Sequence, residues 1–121
     1  MHELLNTISL CRRAGKLIMG FDPVKAAVAA GQAKAVLLAI DLAPRSKKEV
    51  RFFCRDTGLS PVEAPFSLDD IKDKFGRRAG ILAITDQGLA QKTVSIVERL
   101  QQLPQPGAKP AANIERETPD E

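Results

Sequence analysis

Two uninterrupted apolar segments, residues 35–40 and 81–84, place the strongest constraint on the fold of this chain. Each has the length of a strand, and each is followed within two residues by an aspartate, Asp41 or Asp86. A strand that is apolar at every position buries both of its faces, so both segments are expected to be central strands of a sheet. The sequence therefore predicts a sheet that lies between layers of helices.

Five amphipathic segments alternate with the strands and are predicted to form these helices. The first is expected over residues 2–13 and the last over residues 87–103. The second helix is expected to begin at Asp22 or Pro23, because aspartate caps helix N-termini and proline suits the first helical position.

Two capping-box spacings, Ser46 with Glu49 and Ser67 with Asp70, are expected to begin the third and fourth helices. Short apolar segments before the second helix and before Ser67 are expected to add two further strands, the later one (residues 61–64) at a sheet edge. The alternation of helices and strands predicts a three-layer α-β-α sandwich with a single four-stranded sheet, mixed but mostly parallel.

The composition changes at Pro104 and divides the chain into two predicted parts. Residues 1–103 are expected to form one domain, and residues 104–121, with four prolines, are expected to be a disordered acidic tail. The tail has two basic and four acidic residues, a net charge of −2, which leaves +5 on residues 1–103. A basic domain of this kind suits a polyanion such as RNA and is equally typical of a solvated surface.

The cysteine and histidine content excludes a four-ligand zinc site of cysteine and histidine within one chain. Cys11 and Cys54 are isolated, and His2 is the sole histidine. Cys11 lies on the apolar stripe of the first helix and is expected to be a core residue. The sequence has no secretory signal and no apolar run near the roughly 20 residues of a membrane span, so a cytoplasmic protein without metal, cofactor or membrane partner is expected.

Acidic residues offer two catalytic hypotheses. Asp69, Asp70 and Asp73 have a spacing that in some enzymes binds magnesium beside a diphosphate. Asp69 and Asp70 also fall in the first turn of a helix, where negative charge is favourable by about 0.3–1 kcal/mol, and this structural role is preferred. Asp41 and Asp86 follow the two central strands as a candidate acid/base pair, without a histidine or phosphate-binding loop nearby.

The cations are better organised than the acids. Gly20 precedes the second helix, whose N-terminal N–H groups point outward and suit a phosphate, and Lys16 and Lys25 flank it. Arg77 and Arg78 precede the second central strand. On the third helix, an arc of about 100° carries Lys47, Lys48, Arg51 and Arg55. Phosphate binding and a merely solubilising surface are both open at this point.

Four parts of the chain, in order and with characteristic spacing, carry a family resemblance. They are residues 12–17 (RRAGKL), Gly20, residues 31–41 (GQAKAVLLAID) and residues 84–88 (ITDQG). Over about residues 3–100 the chain resembles the L7Ae and L30e family of ribosomal proteins, most closely its small bacterial members. The resemblance implies a non-enzymatic α-β-α sandwich that binds RNA, above all the kink-turn, a duplex bent at a bulge beside sheared G·A pairs.

The resemblance further implies that RNA docks on the N-terminus of the second helix and on residues 43–47 and 76–80. The expected RNA-binding residues are Lys16, Gly20, Phe21, Asp22, Lys25, Lys47, Arg77 and Arg78. The cations are expected to neutralise phosphates, and Gly20 to allow close approach of the backbone. Asp22 is expected to cap the helix and accept a hydrogen bond from a base, and Phe21 either to stack on a base or to pack beside its own helix.

The docking helix departs from the family pattern Gly-x-Asn-Glu-x-x-Lys, because residues 20–26 read GFDPVKA. Asp22 is only an acceptor, whereas an asparagine amide both donates and accepts. Pro23 and Ala26 replace the glutamate and the lysine of the pattern. Base readout is therefore expected to be weaker or different, with more of the affinity from backbone and shape contacts.

Two functions follow as hypotheses from these observations. The first is a cytoplasmic protein that binds ribosomal or other structured RNA, with the ribosome as a further partner and no DNA partner. The alternative is a protein–protein adaptor on the same fold, in which Phe21 or the tail contacts a partner and RNA affinity is reduced or lost.

Overall fold

A computed structural model of the chain describes residues 2–102, which form five helices and four strands in the predicted alternation. Their bounds are α1 His2–Arg13, β1 Leu17–Met19, α2 Phe21–Ala29, β2 Ala35–Ala39, α3 Pro44–Arg55, β3 Val62–Ala64, α4 Leu68–Phe75, β4 Ile81–Ile84 and α5 Gln87–Gln102. The predicted tail and the last residue of the predicted final helix, Leu103, lie outside the described residues.

The sheet has the strand order β1-β4-β2-β3. The two apolar strands, β2 and β4, are therefore central, and every residue of both is buried. The strand β3 lies at an edge. These three features confirm the predictions made from the apolar runs and from residues 61–64.

The strand directions correct one part of the prediction, because the mixed sheet is not mostly parallel. Only β2 and β3 are parallel, whereas β4 runs antiparallel to both β1 and β2. Asp41, just beyond β2, accepts from the Leu68 N–H at the start of α4, and the Gly80 carbonyl, just before β4, accepts from Ala39 in β2. Both α4 and β4 therefore begin at the end of the sheet where β2 ends. A parallel β4 would need α4 to cross back to the other end of the sheet, so β4 runs antiparallel to β2.

Two hydrophobic cores lie on opposite faces of the sheet and confirm the three-layer sandwich. Helices α1, α4 and α5 cover one face, and α2 and α3 cover the other. Successive residues of β2 alternate between the cores, with Leu37 in the first and Leu38 in the second. Cys11 is buried in the first core, as predicted, and Cys54 in the second; burial raises the pKa of both thiols.

The start of α4 is the capping box that the sequence predicts. The Asp70 N–H donates to the Ser67 hydroxyl at 3.0 Å, and the Ser67 N–H donates to the Asp70 carboxylate at 2.8 Å. Gly76 ends the helix in a left-handed conformation with φ of 75°. The hydrogen bond from the Leu68 N–H to Asp41 then holds this start of α4 at the sheet end where the candidate site lies.

The start of α3 differs from its prediction. The helix begins at Pro44, with Ala43 as N-cap and no side-chain cap, so the expected box of Ser46 and Glu49 is wrong. Proline has the φ of a first helical residue, and it restricts the residue before it to the extended conformation that Ala43 adopts. The proline therefore sets the start of the helix two residues ahead of Ser46.

Across residues 2–102, none of the helices combines the length and the apolar character that crossing a bilayer requires.

Candidate nucleic-acid interface

A cleft of about 400 Å³ lies at the end of the sheet where β2 ends and β4 begins. The starts of α2 and α3 and the loop before β4 surround it. Its lining residues are Gly20, Phe21, Leu42, Ser46, Glu49, Arg77, Arg78, Ala79, Gly80 and Ile81. The structure thus brings together four of the predicted site residues: Gly20, Phe21, Arg77 and Arg78.

Gly20 joins β1 to α2 in a conformation that favours glycine. Its φ is 105° and its ψ is 158°, in a region that residues with a β-carbon rarely adopt. Its N–H donates to the Ile81 carbonyl at 2.9 Å, which ties the end of β1 to the start of β4. A β-carbon at this position would lie 3.3 Å from Nη2 of Arg77. Glycine therefore serves both the turn and the close approach of the arginine.

The helix α2 begins at Phe21, and its N-cap is Gly20, so the prediction that Asp22 caps this helix is wrong. The glycine conformation lets the chain turn directly from the strand into the helix, ahead of the aspartate. The first intrahelical bond runs from the Val24 N–H to Gly20, which leaves the N–H groups of Phe21 and Asp22 ahead of the helical ladder. Asp22 is exposed in the first turn, where the helix dipole favours its charge.

Arg77 and Arg78 lie in the loop between α4 and β4, and both are exposed. Nη2 of Arg77 lies 3.5 Å from the Met19 carbonyl oxygen, beside the start of α2, and this arginine has no ion pair with a described residue. Arg78 pairs with Asp69 at 3.3 Å. Exposed pairs of this kind contribute little, so Arg78 can exchange this partner for a phosphate.

Lys47 is not placed in the cleft. Its Nζ donates to Glu63 and to the Ile40 carbonyl, both at 3.0 Å, and its side chain is 15% exposed. Glu63 also accepts from Arg51 at 2.7 Å. The hydrogen bond from Lys47, with the charges of both cations, holds the pKa of Glu63 below its ordinary value. The charge of Lys47 is therefore already compensated by the edge strand β3.

Lys16 lies at the opposite end of β1 from Gly20. Its carbonyl accepts from the Thr85 N–H at 2.9 Å, beyond the end of β4. Four steps of extended chain, at about 3.3 Å each, separate the two positions by about 13 Å. Lys25, in contrast, is on α2 and lines a neighbouring cleft together with Phe21.

Phe21 packs against α3 rather than beside its own helix. Its ring meets that of Phe53 edge-on, with the centroids 5.6 Å apart and an interplanar angle of 80°. The residue is half-buried and closes one side of the second core. One part of the ring therefore remains accessible from the cleft.

The acidic residues take structural positions. Asp70 belongs to the capping box of α4, Asp69 pairs with Arg78, and Asp86 accepts from the Leu89 N–H at 2.8 Å at the start of α5. Asp41 and Asp86 lie at opposite ends of the sheet because β2 and β4 are antiparallel, so they form no acid/base pair. Within residues 2–102, no group of three or more potential metal ligands comes together.

Leu42, Ser46 and Glu49 also line the cleft, although the sequence does not mark them individually as site residues. Leu42 and Ser46 follow β2 where the chain enters α3, at or beside the predicted docking loop 43–47. Glu49 enters one turn later and pairs with Arg45 at 3.8 Å. The position of Leu42 directly after Asp41, at the end of a predicted central strand, could have identified it as a cleft residue. Nothing in the local sequence marks Glu49 in this way.

Fold and cleft together define a three-layer α-β-α sandwich protein with an open helix N-terminus and two arginines at one end of its sheet. The chain belongs to the ribosomal protein L7Ae/L30e/S12e/Gadd45 family, whose sequence model matches residues 2–94. The family resemblance seen in the sequence is thereby confirmed.

Three relatives illustrate the position of the chain within this family. The RNA-binding protein YlxQ of Enterococcus faecium is 34% identical over 100 residues, which cover 79% of this chain and 92% of the relative. The RNA-binding protein YlxQ of Bacillus subtilis is 29% identical over 101 residues, or 79% and 96% of the two chains. The large ribosomal subunit protein eL30 of Aeropyrum pernix is 30% identical over 78 residues, or 63% and 78%.

Solved structures share the fold. A Bacillus halodurans protein of unknown function superposes with a TM-score of 0.72 at 24% identity, covering 78% of this chain and 96% of the other. The Giardia lamblia 15.5kD RNA binding protein superposes with a TM-score of 0.65 at 22% identity, covering 81% and 87%. At these identities the likeness concerns the fold alone.

Proposed function

We propose that this protein binds structured RNA, of ribosomal or kink-turn type, through the cleft at the start of α2. Three observations support the proposal: membership of a ribosomal-protein family, two relatives that are RNA-binding proteins, and the chemistry of the cleft. The protein acts as a binding module and catalyses no reaction. Its contacts need neither metal nor cofactor, and it works in the cytoplasm without a membrane or DNA partner.

The observation that carries the proposal is the position of Arg77 beside the open N-terminus of α2. The N–H groups of Phe21 and Asp22 precede the helical ladder, and the arginine guanidinium lies next to Gly20. Backbone N–H groups at a helix N-terminus bind phosphate, and a neighbouring guanidinium adds charge-assisted donors in a fork that matches phosphate oxygens. Arg78 extends the same positive surface, and Gly20 presents no side chain to obstruct the RNA backbone.

Asp22 gives the proposed site its own base preference. Its exposed carboxylate accepts from base amino groups and repels carbonyl oxygens, whereas the asparagine of the family pattern accepts from amino groups and donates to carbonyl oxygens. Removal of one bidentate hydrogen-bonded pair with a base costs about 1–3 kcal/mol of discrimination. The proposed recognition therefore depends more on the bent RNA backbone than on the identity of its bases.

Lys16 and Lys47 have different roles in this proposal from those expected on sequence. Lys47 fixes the position of α3 through Glu63. Lys16 is too far from Gly20 to bind the same RNA phosphate as the start of α2. Lys25 contacts RNA from the side of Phe21. The proposed RNA-contacting residues are Gly20, Phe21, Asp22, Lys25, Arg77 and Arg78.

Titration of two RNAs of equal length tests the proposal: a kink-turn RNA and an unbent duplex, each at two salt concentrations. We expect tighter binding of the kinked RNA at both, with affinity falling as salt rises because released counterions drive phosphate contacts. Equal, weak binding to both RNAs would refute structure-specific recognition. No binding at low salt would remove RNA as the ligand.

The adaptor hypothesis is tested by the combined substitution of Lys25, Arg77 and Arg78 by alanine. An RNA-binding protein loses affinity and salt dependence when these cations are removed. An adaptor that uses apolar contacts would keep its partner. Recovery of bound RNA by crosslinking in cells, for the unaltered chain and the triple variant, would separate the two functions.

A further inference from the structure

A second cleft, between α2 and α3, adjoins the site proposed above and shares Phe21 and Lys25 with it. Its volume is about 420 Å³, and its walls combine aromatic and cationic side chains: Phe21, Phe52, Phe53, Lys25, Arg45 and Lys48. Glu49 is its acidic member. Phe21 and Glu49 line both clefts, so the two are continuous over the start of α2.

The ring of Phe52 is the unusual feature of this surface. Its residue is 69% exposed, the largest value among the large exposed hydrophobic residues at 2–102, although the neighbouring Phe53 packs on the core. Phe52 also lines a smaller cleft of about 330 Å³, together with Lys48, Arg51 and Arg55. The Arg55 guanidinium carbon lies 5.4 Å from the ring centroid. Exposure of an aromatic ring to water is unfavourable, and an aromatic ring among cations is the combination that single-stranded nucleic-acid sites use.

The cations around Phe52 are largely uncompensated. Arg45 pairs with Glu49 and Arg51 with Glu63. Lys25, Lys48 and Arg55 have no ion pair with any residue in the described part of the chain. Arg55 lies over one face of the ring, and none of these three cations is neutralised by an ion pair within residues 2–102. The ring and its cations complement a ligand that combines a flat apolar face with negative groups on either side.

We propose that the cleft between α2 and α3 binds an unpaired nucleotide of the RNA, with its base against Phe52 and its flanking phosphates on Lys48 and Arg55. Bases stack on exposed aromatic side chains in single-stranded nucleic-acid sites, and lysine and arginine bind the backbone beside them. A base within a duplex is stacked on both faces and cannot offer one to the ring, so the proposed ligand is an unpaired base. The inference rests on the proposed function, because the continuity of the clefts lets a strand that leaves the start of α2 pass over Phe21 to Phe52.

Substitution by tryptophan tests the contact directly, since the chain contains no tryptophan. In F52W the indole is the only tryptophan and is placed to stack on a base. L10W is the matched control, because Leu10 is an exposed residue of α1, on the other face of the sheet. The probes are oligoadenylate of ten nucleotides, a blunt-ended kink-turn RNA, and the same RNA with an unpaired adenosine extension.

We expect oligoadenylate and the extended RNA to quench the fluorescence of F52W and to leave that of L10W unchanged. F52A is expected to bind the extended RNA roughly 5- to 150-fold more weakly than the unaltered chain, and to bind the blunt RNA equally well. Because Phe52 is exposed, F52A should unfold at the temperature of the unaltered chain, which thermal unfolding checks.

Several outcomes would overturn the inference. One is F52W fluorescence that does not respond to RNA; another is equal binding of the extended RNA by F52A and the unaltered chain. Competition by polyglutamate as strong as that by oligoadenylate would show a site for acidic protein or for charge alone. The proposed function fails separately, if the unaltered chain does not bind the blunt RNA or if R77A binds it normally.

Discussion

Arg77 lies against the backbone at Gly20: its Nη2 atom is 3.5 Å from the Met19 carbonyl oxygen and 3.3 Å from the place that a β-carbon on Gly20 would take. The substitution G20A is therefore expected to strain the backbone, at a φ of 105°, and to displace the arginine. We expect the free energy of unfolding to fall by about 1–3 kcal/mol and RNA affinity to fall with it. Denaturant unfolding and RNA titration measure the two effects.

Gly15 provides the matched control for this change. Its φ is 72°, also in the left-handed region, but a β-carbon there would have no neighbour within 4 Å. G15A is expected to lower stability and to leave RNA affinity unchanged. A loss of RNA affinity in G15A as large as that in G20A would contradict a specific role for the contact of Gly20 with Arg77.

Single removal of the arginines is expected to weaken RNA binding and to lower the dependence of log affinity on log salt by about 1 for each phosphate that is no longer neutralised. R77A should have the larger effect, because Arg78 already shares its charge with Asp69. K16A removes the same charge at the opposite end of β1 and is expected to change little. The measurement is a titration over several salt concentrations; equal losses of affinity in all three variants would mean that only total charge matters.

Replacement of Asp22 by asparagine tests its proposed effect on base readout. D22N removes a carboxylate that repels base carbonyls and phosphates and supplies an amide donor, so kink-turn RNA should bind about tenfold more tightly, within the 1–3 kcal/mol range of a good base contact. The helix loses a favourable charge in its first turn, at a cost of about 0.3–1 kcal/mol in stability. D73N, an exposed change on α4, is the control for charge, and affinity that rises equally in both variants would argue against direct contact.

Glu63 is expected to make the free energy of unfolding depend on pH. The hydrogen bond from Lys47 lowers the pKa of Glu63 in the folded protein, so the ionised carboxylate stabilises the fold above its ordinary pKa of 4.5, and this contribution is lost as the pH falls through the lowered value. E63Q should be less stable than the unaltered chain at pH 7, by less than about 1 kcal/mol because the pair is part-exposed. The difference should shrink as the pH falls below 4.5 and through the lowered pKa.

Denaturant unfolding at several pH values from 7 to 3 tests this dependence. E98Q is the matched control, because Glu98 is exposed on α5 and forms no ion pair with any residue from 2 to 102. It should follow the unaltered chain at every pH. An E63Q variant as stable as the unaltered chain at pH 7 would show that the contact with Lys47 contributes nothing to folding.

Features that depend on neighbouring residues were predictable from the sequence. The capping box of Ser67 and Asp70 needs only a spacing of three residues, and the central place of β2 needs only its unbroken apolar run. The prediction for the start of α3 was wrong because Pro44 prevailed over the capping-box spacing of Ser46 and Glu49, although both signals were local. Local patterns are therefore reliable where no second local signal competes, as the Gly20 turn does with Asp22 at the start of α2.

Features that depend on contacts between distant segments were not predictable in this way. The direction of β4 depends on the path of residues 76–80, which no periodicity records. Lys47 lies on a basic helix face, which predicted that its charge is free to bind phosphate. Its charge is instead paired with Glu63 on β3, a contact that the local sequence does not show. Family resemblance selected the region around Gly20 and Arg77, whereas the exposure of Phe52 became visible only once α3 was packed.

The order of strands in the sheet has a consequence for how the protein matures during synthesis. β4, the last strand to be made, lies between β1 and β2, and β1 has β4 as its sheet partner within residues 2–102. A nascent chain that has emerged only as far as α3 holds the glycine turn at the start of α2 but neither of the arginines that face it. Closure of the sheet and completion of the proposed RNA-binding surface are thus one event, and a ligand bound there stabilises only chains that have finished folding.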